Sequence, residues 1–261
     1  MDFTLSEEQQ ALVNVTRQFA QKELADYADK IEKTGLPAPG ILLQRFAEMG
    51  FLGVNLPAHY GGGGMSHLDA VLVLEELAKV SVAAAFPVFE SCFGPALAIA
   101  HYGPEQMRSS VLPDVCSGNM IVAVSMSEPQ AGTALTDLKT ELVPNGKSFV
   151  LRGTKRWCSG AGHADAYVVY CRMSDAPGAK GIGAVLVHDG VEGFTFGAPE
   201  EHMGFRGIPS ADMYFDDVNV SADQIIVPAG GFKQLMEAFD LERCGNTLSL
   251  IHISEPTRLG A

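Results

Sequence analysis

Apolar residues recur at helical spacing up to Gly118 and change to short strand-like runs beyond it. Ser6 with Gln9 has the form of a capping box, in which each side chain satisfies an orphan backbone N–H of the other. Leu12, Val15, Phe19, Tyr27 and Ile31 then predict one long amphipathic helix. Pro39 predicts the opening of a second helix and Gly50 its close. The run L-P-A-H-Y-G-G-G-G at 56–64 cannot continue a helix. Ser66 with Asp69 marks the start of the next, which carries Leu68, Val71, Leu72 and Leu77 to about Val80. Pro104 and Gly118 bracket the last helical stretch, and Pro113 is expected to break it in two.

After Gly118 the runs 120–126, 148–151, 166–171, 183–187 and 212–215 are short and rich in β-branched or aromatic residues. P-N-G at 144–146 is a hairpin signal, because Asn-Gly tolerates the positive φ of such turns. Five strands with no helix among them predict an antiparallel barrel or sandwich. Helical spacing resumes at 232–239. The expected fold class is therefore multidomain α+β: an all-α domain at 1–119, a β domain at 120–228, and a further helix from 229 to 247.

Composition narrows the function. Eighteen Lys+Arg against 31 Asp+Glu give a net charge of −13, so no nucleic-acid partner is expected. Five scattered cysteines without a C-x-x-C pair read as thiols of a reducing compartment. The seven histidines show no metal-binding spacing, so no metal site is expected. The start Met1-Asp2-Phe3 has no signal-peptide character. No run is read as reaching the ~18 residues of a membrane span. The best, 80–100, is interrupted by Pro87, Glu90 and Pro95. A cytoplasmic setting is the expectation.

The chemistry is concentrated in two runs, V-S-M-S-E-P-Q-A-G-T at 124–133 and G-T-K-R-W-C-S-G at 153–160. Each sets hydroxyls and small residues straight after a strand-like segment, where backbone N–H groups and hydroxyls converge on a flat polar ligand or a phosphate. Together, with the 56–64 loop and M-G-F-R-G at 203–207, they resemble the flavin-contacting segments of the acyl-CoA dehydrogenase family, whose patterns are T-E-P-x-A-G-S-D and W-I-T. The resemblance implies an FAD-dependent oxidoreductase of fatty-acid β-oxidation. Such an enzyme makes a trans-2-enoyl-CoA from an acyl-CoA and passes electrons to an electron-transfer flavoprotein. It also implies that Val124, Ser125, Met126 and Ser127 line the flavin edge, that Trp157, Cys158 and Ser159 surround its ring, and that Thr133 reaches flavin phosphate or substrate. Gln130 stands where the family has glycine, with a side chain that would crowd the ligand. Ala134 replaces an aspartate. The glycines at 61–64 are not followed by G-K-[ST], which argues against a nucleotide-triphosphate loop.

D-L-E-R at 240–243 is similar to the start of the family's first C-terminal helix. There the resemblance gives Asp240 and Arg243 contacts to CoA. It gives Glu242 the position of the catalytic base in isovaleryl-CoA and long-chain members, whereas most members carry the base further along. Glu128 reads as a structural carboxylate. Family members continue through a helical bundle and assemble as dimers or tetramers. Here 248–261 departs from the pattern, and 249–258 resembles a translated sequencing adapter. The bundle is expected to be truncated, the tail non-native, and the chain alone inactive. Two other readings share the scaffold: a flavin monooxygenase or nitroalkane-oxidase-like enzyme, and a silent flavin- or CoA-binding fragment.

Overall fold

The computed structural model describes residues 4–247 and Ile251. The expectation of a non-native tail at 248–261 thus lies, apart from Ile251, outside the described residues. Helix α1 (Glu7–Phe19) opens on the Ser6/Gln9 capping box, with both reciprocal bonds at 3.1 Å. A π-helical segment, Ala20–Leu24, leads without a break into α2 (Ala25–Thr34). Its wider turns rephase the apolar stripe, so that Phe19, Ala20, Leu24 and Ile31 are all buried. Then come α3 (Gly40–Glu48) and α4 (His67–Ala78), the latter on a second capping box made by Ser66 and Asp69. α5 (Val82–Cys92), α6 (Pro95–Tyr102) and α7 (Glu105–Cys116) complete the helical part.

Two expectations are corrected here. α7 is unbroken, with Pro113 inside it. Proline removes one backbone bond, and only three helical residues follow it, so little helix remains to be misdirected. Secondly, Val82–Tyr102 spans 21 residues with a mean hydropathy of 1.6, long and apolar enough to cross a membrane by length and composition. Pro87 is absorbed within α5 and Pro95 opens α6, so neither shortens the apolar stretch. Within the protein that surface is covered: 78% of its apolar window is buried.

Strands β1 (Val122–Ser125), β2 (Glu141–Asn145), β3 (Ser148–Ser159), β4 (Ala166–Arg172), β5 (Ile182–His188), β6 (Phe194–Phe196), β7 (Ser210–Val220) and β8 (Ile225–Val227) form one sheet. Its order is β6-β7-β3-β2-β4-β5-β8, with β1 also on β4, and no α-helix intervenes between β1 and β8. The closed barrel is not made, because the sheet is open, ending at β6 and β8. Nor is it wholly antiparallel. β1 runs parallel to β4, and β2 meets β4 in parallel at Glu141↔Arg172. Alternating hydrophobicity reports which face a strand buries, and carries no information on its neighbour's direction. The hairpin turns at Gly146 and Lys147, with Gly146 at φ 64.

β4 is apolar throughout because both its faces are covered. Tyr167 and Val169 pack with Leu151, Val185, Met213 and Phe215 inside the curl of the sheet. Val168 and Tyr170 face Leu97, Leu112 and Leu235 of the helices. A separate core of Phe19, Phe46, Leu77 and Val88 holds the helical part together. The last helix, α8 (Phe232–Asn246), packs against α6, β5 and β8.

Candidate active site

An open cleft of about 540 Å³ lies between the sheet, α5 and α8, a size typical of small-molecule sites. Its sheet wall is made where the two sequence runs meet. The Arg156 backbone N–H donates to the Ser127 carbonyl at 2.9 Å, and Lys155 Nζ donates to the Met126 carbonyl at 2.8 Å. Val124, Met126, Ser127, Trp157, Cys158 and Ser159 line this wall. The pairing of β3 with β7 slips between Lys155↔Met213 and Cys158↔Ala211, leaving an extra residue on β3. Trp157 sits in that bulge at φ 56, a conformation that costs an L-residue roughly 1–2 kcal/mol. The bulge turns the indole outward, 66% exposed, at the cleft that Ser127 and Ser159 also line. A second slip, between Leu151↔Val218 and Gly153↔Phe215, places the extra residue on β7, where Asp217 has φ 55.

Behind this wall Glu128 and Lys155 form a buried ion pair at 2.9 Å, with side chains 1% and 0% exposed. The Glu128 carboxylate also accepts from the backbone N–H groups of Lys139 (2.7 Å) and Thr140 (2.9 Å) and from the Gln130 side chain (2.5 Å). Burial alone would raise the Glu128 pKa, but the Lys155 charge and these hydrogen bonds outweigh it and hold the carboxyl below its ordinary range. The network ties 126–128 to 139–140, as a structural carboxylate does. Gln130 folds back onto Glu128, so its side chain is engaged within the turn and does not crowd the cleft.

The helical wall is built differently. α8 crosses α5 closely at Gly245, where a Cβ would lie 3.0 Å from Phe89 and 3.1 Å from Phe93. Glu90 of α5 and Glu242 of α8 both line the cleft beside Phe86 and Phe89. Burial pushes the Glu242 carboxyl up to about 7, opposed by Arg243. Glu90 is 6% exposed. Burial, reinforced by the charge of Glu242, drives its pKa well above the carboxylate range. Its Oε2 has no hydrogen-bond partner.

Of the residues singled out in the sequence, Glu242 and Arg243 join the six sheet-wall residues at the cleft. Ser125 is buried, contacts Cys158 Sγ at 3.0 Å through its hydroxyl, and does not line the cleft. Asp240 is exposed and Thr133 lies on an exposed loop, and neither lines the cleft. Asp240 precedes Glu242 by two residues, roughly 200° around the helix. The glycines at 61–64 pack into a tight coil instead: a Cβ at Gly62 or Gly63 would lie 2.3 or 2.5 Å from the Leu56 or Val54 carbonyl. Sequence reasoning missed Glu90 as a site residue. A lone acid inside an apolar helix was the available signal. It also passed over Arg156, which lines the cleft and pairs with Asp212 at 2.7 Å.

Residues 6–119 match the N-terminal domain of the acyl-CoA dehydrogenases, and residues 123–218 match their middle domain. The chain belongs to the acyl-CoA dehydrogenase family. It is 33% identical over 258 residues to an acryloyl-CoA reductase (NADH) of Anaerotignum propionicum, covering 98% of this chain and 65% of that protein. It is also 33% identical to a cyclohex-1-ene-1-carbonyl-CoA dehydrogenase of Geobacter metallireducens, over 92% of this chain and 63% of that one. Butyryl-CoA dehydrogenase from Megasphaera elsdenii has a similar structure, with a TM-score of 0.91 at 29% identity over 98% of this chain and 68% of its own. The chain thus spans somewhat under two thirds of the length of these curated relatives.

Proposed function

We propose that this acyl-CoA dehydrogenase family member acts in FAD-dependent α,β-desaturation of an acyl-CoA to a trans-2-enoyl-CoA. Its electrons would pass to an electron-transfer flavoprotein, and the protein would assemble as a dimer or tetramer. The observation that carries the chemical part is a half-buried carboxyl, Glu242, with a pKa of about 7 on the cleft wall across from Trp157 and Ser159. A base poised near neutrality fits removal of a weakly acidic α-proton.

The cleft residues fit a flavin. An outward-turned indole shares with Ser127 and Ser159 a wall otherwise offering backbone groups and Val124 and Met126. Bound there, FAD would supply the acceptor for the hydride of the β-carbon. The chain's own part is to hold the ring edge with Ser127 and Ser159, to flank it with Trp157, and to take the α-proton on the Glu242 carboxylate. Arg243, at the cleft margin, would meet the CoA portion. Asp240 and Thr133, both outside the cleft, would serve the outer reaches of the same ligands.

The resemblance of the chain to a protein named acryloyl-CoA reductase supports a second use of the same site. An acid–base group near pH 7 can return a proton to the α-carbon as readily as take one. The direction then depends on the electron partner.

In the FAD-loaded protein, anaerobic addition of a saturated acyl-CoA should bleach the flavin. Glu242→Gln should slow bleaching by at least about 100-fold, the usual contribution of a positioned general base, with FAD and CoA affinity retained. A near-normal rate in that variant would remove Glu242 from the role of base.

A further inference from the structure

Glu90 serves no purpose in the proton transfer described above, yet its place in the fold is built. Glu90 lies on the wall of the main cleft and of two small cavities, of about 10 and 30 Å³. The next turn makes room for it at Gly94, where a Cβ would lie 3.2 Å from Glu90 Oε2 and 3.1 Å from its carbonyl oxygen. No cation answers it among the described residues, in contrast to the Lys155 that meets Glu128. Its cleft neighbours Phe86, Phe89 and Ile208 are apolar. Burial and the nearby Glu242 both favour the neutral acid. Neutral Glu90 therefore offers one O–H donor and one carbonyl acceptor beside these apolar side chains. Burying such a group without a partner costs free energy, and a ligand that supplies the partner recovers it.

We propose that Glu90 is a specificity-determining residue that selects acyl chains bearing a neutral hydrogen-bonding oxygen, a hydroxyl or a carbonyl, over unsubstituted chains. The proposal rests on the acyl-CoA reading of the cleft and deepens it by naming the class of acyl group. A site built around a polar partner discriminates against the analogue lacking it more strongly than an apolar pocket discriminates one methylene. The apolar neighbours accept the carbon chain, and the carboxyl accepts the single polar substituent.

The test is calorimetric titration of the FAD-loaded protein with hexanoyl-CoA and with its hydroxyl- and oxo-substituted counterparts, the substituent being moved along the chain. At least one substituted thioester should bind about tenfold more tightly than hexanoyl-CoA, as expected for one buried hydrogen bond. Glu90→Leu should abolish that preference. Glu90→Gln, which keeps a donor and an acceptor, should retain most of it. Circular dichroism of both variants confirms the fold. Binding of hexanoyl-CoA with no preference for any substituted chain, or an equal preference in Glu90→Leu, overturns the assignment of Glu90 and leaves the acyl-CoA reading standing. Failure to bind any of the thioesters overturns both.

Discussion

The sheet side of the cleft and its helical side each bury a glutamate, and they treat it in opposite ways. Glu128, behind the sheet wall, meets a lysine and two backbone N–H groups. Glu90 and Glu242, on the helices, line the cleft among aromatic rings, Glu90 in the field of Glu242 and Glu242 opposed by Arg243. Burial penalises a charge in both places, and the partners decide the outcome. On the sheet side the carboxylate is held ionised and its hydrogen bonds are used up in fixing a turn. On the helical side the carboxyls are pushed toward the neutral form, with capacity left for something that enters the cleft. A saturated buried acid is architecture, and an unsaturated one beside open space is available for chemistry.

This contrast can be broken at several points. The largest effect is expected at the ion pair. Lys155→Met strands a buried carboxylate and should destabilise the protein by about 3–5 kcal/mol in urea unfolding at neutral pH. A loss under about 1 kcal/mol would mean that Glu128 is no better satisfied than Glu90.

The pH dependence of stability separates the two sides by sign. Glu242 has its pKa raised from 4.5 to about 7 in the fold, so between those values the folded chain binds more protons than the unfolded one. Its contribution to stability is present below pH 4.5 and is lost as pH rises toward 7. For a partly exposed group the loss should be on the order of 2 kcal/mol. Glu128 is lowered, so its contribution is present above 4.5 and is lost as pH falls below it. Unfolding curves for Glu242→Gln should show a smaller decline between pH 4.5 and 7, with the remainder coming from Glu90, whose pKa is raised as well. Persistence of the whole decline in that variant would place its origin elsewhere.

The smallest effect is the most diagnostic. Glu90→Leu replaces an unsatisfied buried carboxyl with an apolar group of similar size and should raise stability by about 1 kcal/mol. A loss of several kcal/mol would show that Glu90, like Glu128, is anchored by the fold.

The parts of this arrangement legible in the sequence are those decided locally. The capping boxes at Ser6/Gln9 and Ser66/Asp69 form because their partners are three residues apart. The hairpin at Gly146 forms for a similar reason. The strands β6 and β8 were not legible, being three residues long and defined by the neighbours they pair with, and β2 was implied only by the turn that follows it. Openness of the sheet likewise depends on whether its last strand meets its first, which no window of sequence contains. In the site, the motif runs located the sheet wall. Which members of a run face the cleft was decided by geometry: the bulge turns Trp157 outward, Ser125 faces Cys158, and helical rotation carries Asp240 away from Glu242. Glu90 looked like an interruption of an apolar run, because the meaning of an acid there depends on what lies across from it.

The two slips between β3 and β7 have a consequence beyond aiming an indole. One adds a residue to β7 at Asp217, the other to β3 at Trp157, and they cancel. Phe149↔Val220 and Ser159↔Ser210 keep one register, while Gly153, Thr154 and Lys155 between them are displaced by one place. The ladder thus contains a dislocation and its opposite, invisible from either end. A one-residue deletion at Trp157 alone would leave Lys155 opposite Met213 and Cys158 opposite Ala211, so the ladder would close regularly, Cys158 would stay buried, and only the outward-turned indole would be lost. A paired deletion, one residue from each bulge, would leave both ends of the ladder aligned. Each bulge can therefore be removed singly without misaligning the strands, so what the bulge at Trp157 contributes is the aim of one side chain into the cleft and not the alignment of the ladder.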